Sequence, residues 1–146
     1  AAAASLGRMH AEGASRFLQQ QLGRDSNWWD AIRLGALLGL AELEDPALVP
    51  IFKEYVIPRY PRQVRLAALD GWFRATPGDA ALAAQLRTLT RDRNGNVRSD
   101  ALEKLGRLHL RQDVEFLQAF AREEPDPNLA QAARDAIDEI EAFVAP

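Results

Sequence analysis

Two histidines, His10 and His109, are the only imidazoles in the chain, and about a hundred residues separate them. Neither is followed by a second histidine at helical spacing, so the paired imidazoles that grip a metal from one helix face are missing. There is no cysteine, which removes thiolate metal binding, thiol redox chemistry and disulfides together. Ser5, Ser15, Ser26 and Ser99 stand in no strand-to-helix nucleophile turn. Asn94-Gly95-Asn96 is the nearest approach to a glycine-rich loop, but it lacks the Gly-Lys-Ser/Thr ending that cradles phosphate and reads as the cap of the helix that follows. Acidic neighbours such as Glu123-Glu124 and Asp138-Glu139 read as solvated carboxylates, with neither shielded in the way a catalytic dyad requires. The expectation is therefore no catalytic residue, no cofactor and no metal in this chain. One set of residues has recurring chemistry. Arg33, Arg65 and Arg98 follow an aliphatic residue at intervals of 32 and 33. As a row of guanidinium groups they would either take carboxylates or a peptide end bidentately, or bond carbonyls and loop carboxylates of neighbouring helices and brace the stack.

The elements that must hold such a row are legible from the same spacing. Ile32-Arg33, Val64-Arg65, Val97-Arg98 and Leu129-Ala130 open one pattern four times, with alanine four positions after the first residue and a large apolar residue eight after it: Ala36 and Leu40, Ala68 and Trp72, Ala101 and Leu105, Ala133 and Ile137. Offsets 0, 4, 5 and 8 fall within about 140° of a helix at 100° per residue and form the expected core stripe. Strand-like alternation is almost absent, so the chain reads as all-α, with two helices per period. The first helices are expected over 46–56, 79–90 and 113–122, the second over 63–75, 96–108 and 128–143. A helix over 5–22 and one over 29–43 precede them. Breaks fall at Ile57-Pro58-Arg59-Tyr60-Pro61, Thr76-Pro77-Gly78-Asp79, Arg93-Asn94-Gly95-Asn96 and Glu124-Pro125-Asp126-Pro127, all turn formers. Repeated two-helix units that bury their faces against one another imply a solenoid, and the fold expected is a right-handed α-α superhelix spanning 1–146 as one domain, a piece of a longer chain.

Charge narrows the partners. Eighteen basic residues against 21 acidic ones give a net charge of −3, which argues against nucleic acid as the main partner. The longest apolar stretch, around Leu34 to Ala41, is well short of the roughly 20 residues needed to span a bilayer. Ala1 to Ala4 carry neither the basic leader nor the apolar block of a secretion signal, although one could have been removed. The reading is a soluble chain with its compartment open and the cytoplasm favoured.

On the outward face, offsets 6 and 10 hold Asp70/Arg74 and Glu103/Arg107, i,i+4 pairs of opposite charge that suit solvent. In the first repeat the corresponding residues are Leu38 and Glu42, and offset 2 is Leu34, with Leu66 beside it in the next repeat. This apolar strip either packs on a partner or is covered by the helix over 5–22. Trp28 and Trp29 adjoin it and cannot both point into one core, whereas Trp72 occupies a core offset. Trp28, Trp29, Leu34, Leu38 and Leu66 thus form the expected interface for a protein or peptide, or for the remainder of the same chain.

Two-helix units with an aliphatic-Arg-x-x-Ala signature, Val64-Arg65-Leu66-Ala67-Ala68-Leu69 and Val97-Arg98-Ser99-Asp100-Ala101-Leu102, resemble HEAT repeats of the short type found in lyase-like HEAT proteins. The Thr-Pro-Leu-His of ankyrin units and the Trp…Leu-Gly…Tyr of tetratricopeptide units are absent. The resemblance covers about 28–143. A narrower likeness lies in Leu22-Gly23-Arg24-Asp25-Ser26-Asn27-Trp28-Trp29-Asp30-Ala31-Ile32-Arg33, which resembles the helical C-terminal region of bacterial zinc aminopeptidases of the aminopeptidase N family. That likeness implies a non-catalytic segment that packs on a zinc-bearing catalytic domain and shapes substrate access. The family's His-Glu-x-x-His with its downstream Glu, and its Gly-x-Met-Glu-Asn segment, do not occur in this sequence. A free-standing scaffold for a protein or peptide is the alternative. A HEAT-like DNA glycosylase, which would need a basic groove with exposed aromatics, is disfavoured by the acidic balance.

Overall fold

A computed structural model of the chain describes residues 13–22 and 29–144. Among these there are eight α-helices and no strand, so the all-α expectation holds. In chain order they are α1 (Ala14–Leu22), α2 (Trp29–Ala41), α3 (Val49–Tyr55), α4 (Arg62–Ala75), α5 (Ala80–Leu89), α6 (Gly95–Arg107), α7 (Val114–Glu123) and α8 (Pro127–Val144). Short 3-10 turns, Pro46–Leu48 and Arg111–Asp113, lead into α3 and α7. The repeats place these boundaries to within about two residues, with one exception. The first helix begins at Ala14 after Gly13, whose φ of 76° suits glycine, and the expected stretch 5–12 lies outside the described residues.

Four starts, those of the 3-10 turn before α3 and of α5, α6 and α8, carry side-chain caps that satisfy N–H groups the first turn leaves open. The Oδ1 atoms of Asp45, Asp79 and Asp126 accept from the backbone N–H of Ala47, Ala81 and Asn128 at 2.9, 2.8 and 2.9 Å. Asn94 Oδ1 accepts from Asn96 N–H at 3.0 Å and Val97 N–H at 3.4 Å. Pro46 and Pro127 occupy first-turn positions, where a missing N–H costs nothing. Helices α2 and α6 end alike. Twelve residues after their opening aliphatic residue, Glu44 and His109 take left-handed backbone, with φ of 51° and 52°. Glycine is the usual occupant of such a C-terminal position. In both cases the side chain that glycine would lack is employed, as described below.

The described chain falls into two compact units, residues 1–77 and 78–146. In the first, α2 and α4 lie against each other, α1 backs α2 and α3 backs α4. Its core includes Leu18, Leu37, Leu40, Phe52, Leu69 and Trp72. Gly71 faces the wholly buried Phe52 ring so closely that a Cβ there would sit 2.3 Å from Phe52 Cε1. In the second unit α6 and α8 lie together, α5 backs α6 and α7 backs α8 around Leu82, Leu86, Leu102, Leu105, Leu117 and Ile140. Gly106 permits the close approach of α6 and α8, since a Cβ on it would stand 2.9 Å from Ala136 Cα.

The stripe at offsets 0, 4, 5 and 8 is buried throughout α4 and α6, but not at both ends of the series. Ile32 is 37% exposed rather than core. In α8 the buried line runs through Leu129, Ala133, Ala136 and Ile140, leaving Arg134 exposed and Ile137 half-buried. That helix packs chiefly on α6 and α7, so its buried face rotates toward those two.

The candidate binding cleft and the arginine row

The three arginines of the row are each engaged by their own surroundings. Arg65 is buried, and its Nε donates to the Val56 carbonyl at the end of α3, 2.8 Å away. Arg33 lies 3.7 Å from Asp30 and faces the Tyr60 ring at 5.7 Å from its centroid. Arg98 pairs through Nη2 with Glu124, which follows α7. Tyr60 and Glu124 occupy corresponding places, the turn between the two helices of the next repeat. Arg33 and Arg98 thus tie one repeat to its successor, and Arg65 ties α4 to α3. Glu124, expected in solvent, is largely buried, because Arg98 and the Asp126 N–H (3.1 Å to Glu124 Oε1) draw it inward.

A fourth arginine, not in the row, makes the corresponding tie in the first unit. Arg74, read as half of an i,i+4 surface pair with Asp70, keeps an attraction to Asp70 and also reaches to the end of α2: its Nη1 donates to Glu42 at 3.0 Å and its Nη2 to Glu44 at 3.0 Å. These hydrogen bonds, that to Glu42 foremost, raise its pKa against the opposing effect of burial. Glu44 is thereby the reason a non-glycine residue holds the left-handed turn. The outward pair Glu103–Arg107 forms as expected, at 3.7 Å.

Of the expected interface residues, Leu38 is 39% exposed, while Leu34 and Leu66 are half-buried. Trp28 lies outside the described residues and Trp29 enters only as the first residue of α2. Trp72 is core, with Lys53 Nζ 4.6 Å from its ring centroid. His109 is a packing residue, its ring stacked on Phe143 at 3.9 Å and 6°, with Glu139 Oε1 3.8 Å from its Nε2. Asp113, four residues beyond His109, belongs to a different contact: it is wholly buried and accepts from Arg87 Nε at 2.6 Å. His10 lies outside the described residues, and among those described no group of His, Cys, Asp and Glu is arranged to hold a metal ion.

An open cleft of about 370 Å³ lies between the end of α5 and one face of α7, with α6 beneath. Phe116, Ala119, Phe120 and Glu123 line it at spacings of three and four, a single stripe of α7. Thr90 and Arg91 form the other wall, and the Arg98–Glu124 pair closes one end. Thr90 is occupied, its hydroxyl donating to the Arg87 carbonyl at 2.8 Å. Arg98 Nε is buried with no acceptor, although its Nη2 is paired. The Arg91 and Glu123 side chains have no hydrogen bond or ion pair among the described residues. Sequence reasoning had the helix but not this stripe. The signal was available as a second apolar line, Phe116 and Phe120, ending in Glu123, on a helix whose only fully buried side chain is Leu117.

No family model matches this chain, and no curated protein matches it. Its function is therefore argued from its own residues. The cleft carries donors, acceptors and apolar walls but no nucleophile beside a base, so the arrangement is suited to binding.

Proposed function

We propose that this chain is a non-catalytic HEAT-like repeat module, a right-handed α-α superhelix. In its narrower form it is the C-terminal accessory domain of an aminopeptidase N family zinc peptidase, packed on the catalytic part and shaping access to it. The observation that carries the repeat reading is the pairing within each unit. Second helices lie side by side, α2 with α4 and α6 with α8, each backed by its own first helix, and their buried offsets recur from α4 to α6. Stacking of this kind buries a face that no single repeat could bury alone. The peptidase reading draws on the segment Leu22 to Arg33 and on Leu38, a large apolar side chain left exposed where other repeats are charged. Among the described residues there is no zinc ligand set. The metal belongs, in this reading, to the catalytic part of the parent.

The deciding experiment is to read the genomic frame upstream of Ala1. Continuous coding sequence with His-Glu-x-x-His and a downstream Glu is the expected result. A different domain upstream, or a stop codon just upstream of Ala1, sinks the peptidase reading and leaves a free-standing scaffold for a protein or peptide. The cleft of the second unit favours that alternative, because an open, mixed-polarity groove is what a binding scaffold presents.

A further inference from the structure

The cleft between α5 and α7 is graded from apolar to charged. Along α7 the lining runs from Phe116 through Phe120 to Glu123 and Glu124, about 10 Å at the rise of an α-helix. The charges at the far end are not all free. Glu124 is neutralised by Arg98 and by the Asp126 N–H, so its carboxylate is spent within the fold. What remains, among the described residues, is one cation on the α5 side, Arg91, and one anion on the α7 side, Glu123. Among the described residues these two charges make no ion pair with each other. A ligand complementary to this lining bears a carboxylate and an ammonium at one end and an apolar body at the other. The volume, about 370 Å³, stands near the lower limit for small-molecule sites.

We infer that this cleft is a binding site for a small zwitterion with an apolar side chain, a free apolar α-amino acid or a dipeptide. The ligand carboxylate pairs with Arg91, its ammonium pairs with Glu123, and its side chain lies against Phe116 and Phe120. An internal segment of a protein carries no such paired head, so the site selects against it. The inference goes beyond the accessory-domain reading and holds whether or not the chain docks on a peptidase.

The test is an amide-shift titration of the isotope-labelled 146-residue chain with three probes: L-phenylalanine, the dipeptide phenylalanyl-leucine, and N-acetyl-phenylalanine amide. Expected are saturable shifts confined to 90–98 and 116–124 with one or both zwitterions, the tighter one fixing the ligand size. The capped analogue, lacking both charges, should bind at least about tenfold more weakly, the ratio that one charge-assisted contact supplies. Arg91→Gln and Glu123→Gln sit on exposed positions and leave the fold intact, and each should weaken the zwitterion about tenfold or more. Equal binding of the capped analogue overturns the proposal. So does unchanged affinity in both variants, or the lack of any saturable shift up to the solubility limit of the zwitterions.

Discussion

Single side chains decide more here than their number suggests. Gly71 is silent in composition but holds the space of the Phe52 ring, and Gly71→Ala sets a gain in helix propensity of about 1 kcal/mol against a Cβ placed 2.3 Å from a fully buried aromatic carbon. Overpacking wins. We expect a net loss of about 1–3 kcal/mol in urea unfolding, and an unchanged midpoint would show that Phe52 can turn aside. Tyr55 makes a second residue-scale prediction. It is buried beside Tyr60, ring centroids 4.7 Å apart, and burial above all, with Glu54 next, raises its pKa above the ordinary value of about 10. The folded state keeps the phenolic proton where the unfolded chain has released it. Stability contributed by this group is therefore full below about pH 10 and declines as pH rises through the shifted value. Tyr55→Phe should flatten that alkaline decline in melting temperature, and identical pH profiles for both proteins would remove Tyr55 as its source.

At the scale of elements, the repeat spacing located α3 to α8 because α4 and α6 carry the same buried offsets and turn formers separate the helices. What sequence could not show was partnership across turns. Arg74 faces solvent on a helical wheel, yet Glu42 and Glu44 lie within its reach only once α2 and α4 are side by side. Glu124 looks solvated beside Glu123 until Arg98 of α6 claims it, and the cleft lining joins residues of α5, α6 and α7 that no local pattern connects. Leu38 is the converse case, a residue singled out by its departure from the pattern and found exposed. Leu38→Asp should cost less than about 0.5 kcal/mol of stability in the isolated chain, as an exposed position does. If α2 is a docking face, the same change abolishes capture of the chain by the catalytic part of the proposed parent. A large loss of stability would mean instead that Leu38 is core and would remove α2 as an interface.

For the molecule as a whole, the division at residues 77 and 78 implies two bodies with cores of their own, and Pro77 and Gly78 are both exposed. A fragment comprising 78–146 should show helical circular dichroism and a cooperative thermal transition, below that of the intact chain. A non-cooperative melt would mean that α5 to α8 depend on the first unit. The cap at the head of α6 bears on the lifetime of the molecule. Asn94 precedes Gly95, the dipeptide most open to attack by a backbone nitrogen on a side-chain amide. Yet its Oδ1 is committed to two N–H groups of α6 with the backbone extended, ψ 117°. Held so, the amide carbon is turned from the Gly95 nitrogen, and cyclisation waits for the helix end to fray. Deamidation at Asn94, read by mass spectrometry against a short peptide of the same sequence, thus becomes a chemical clock that counts openings of one helix terminus.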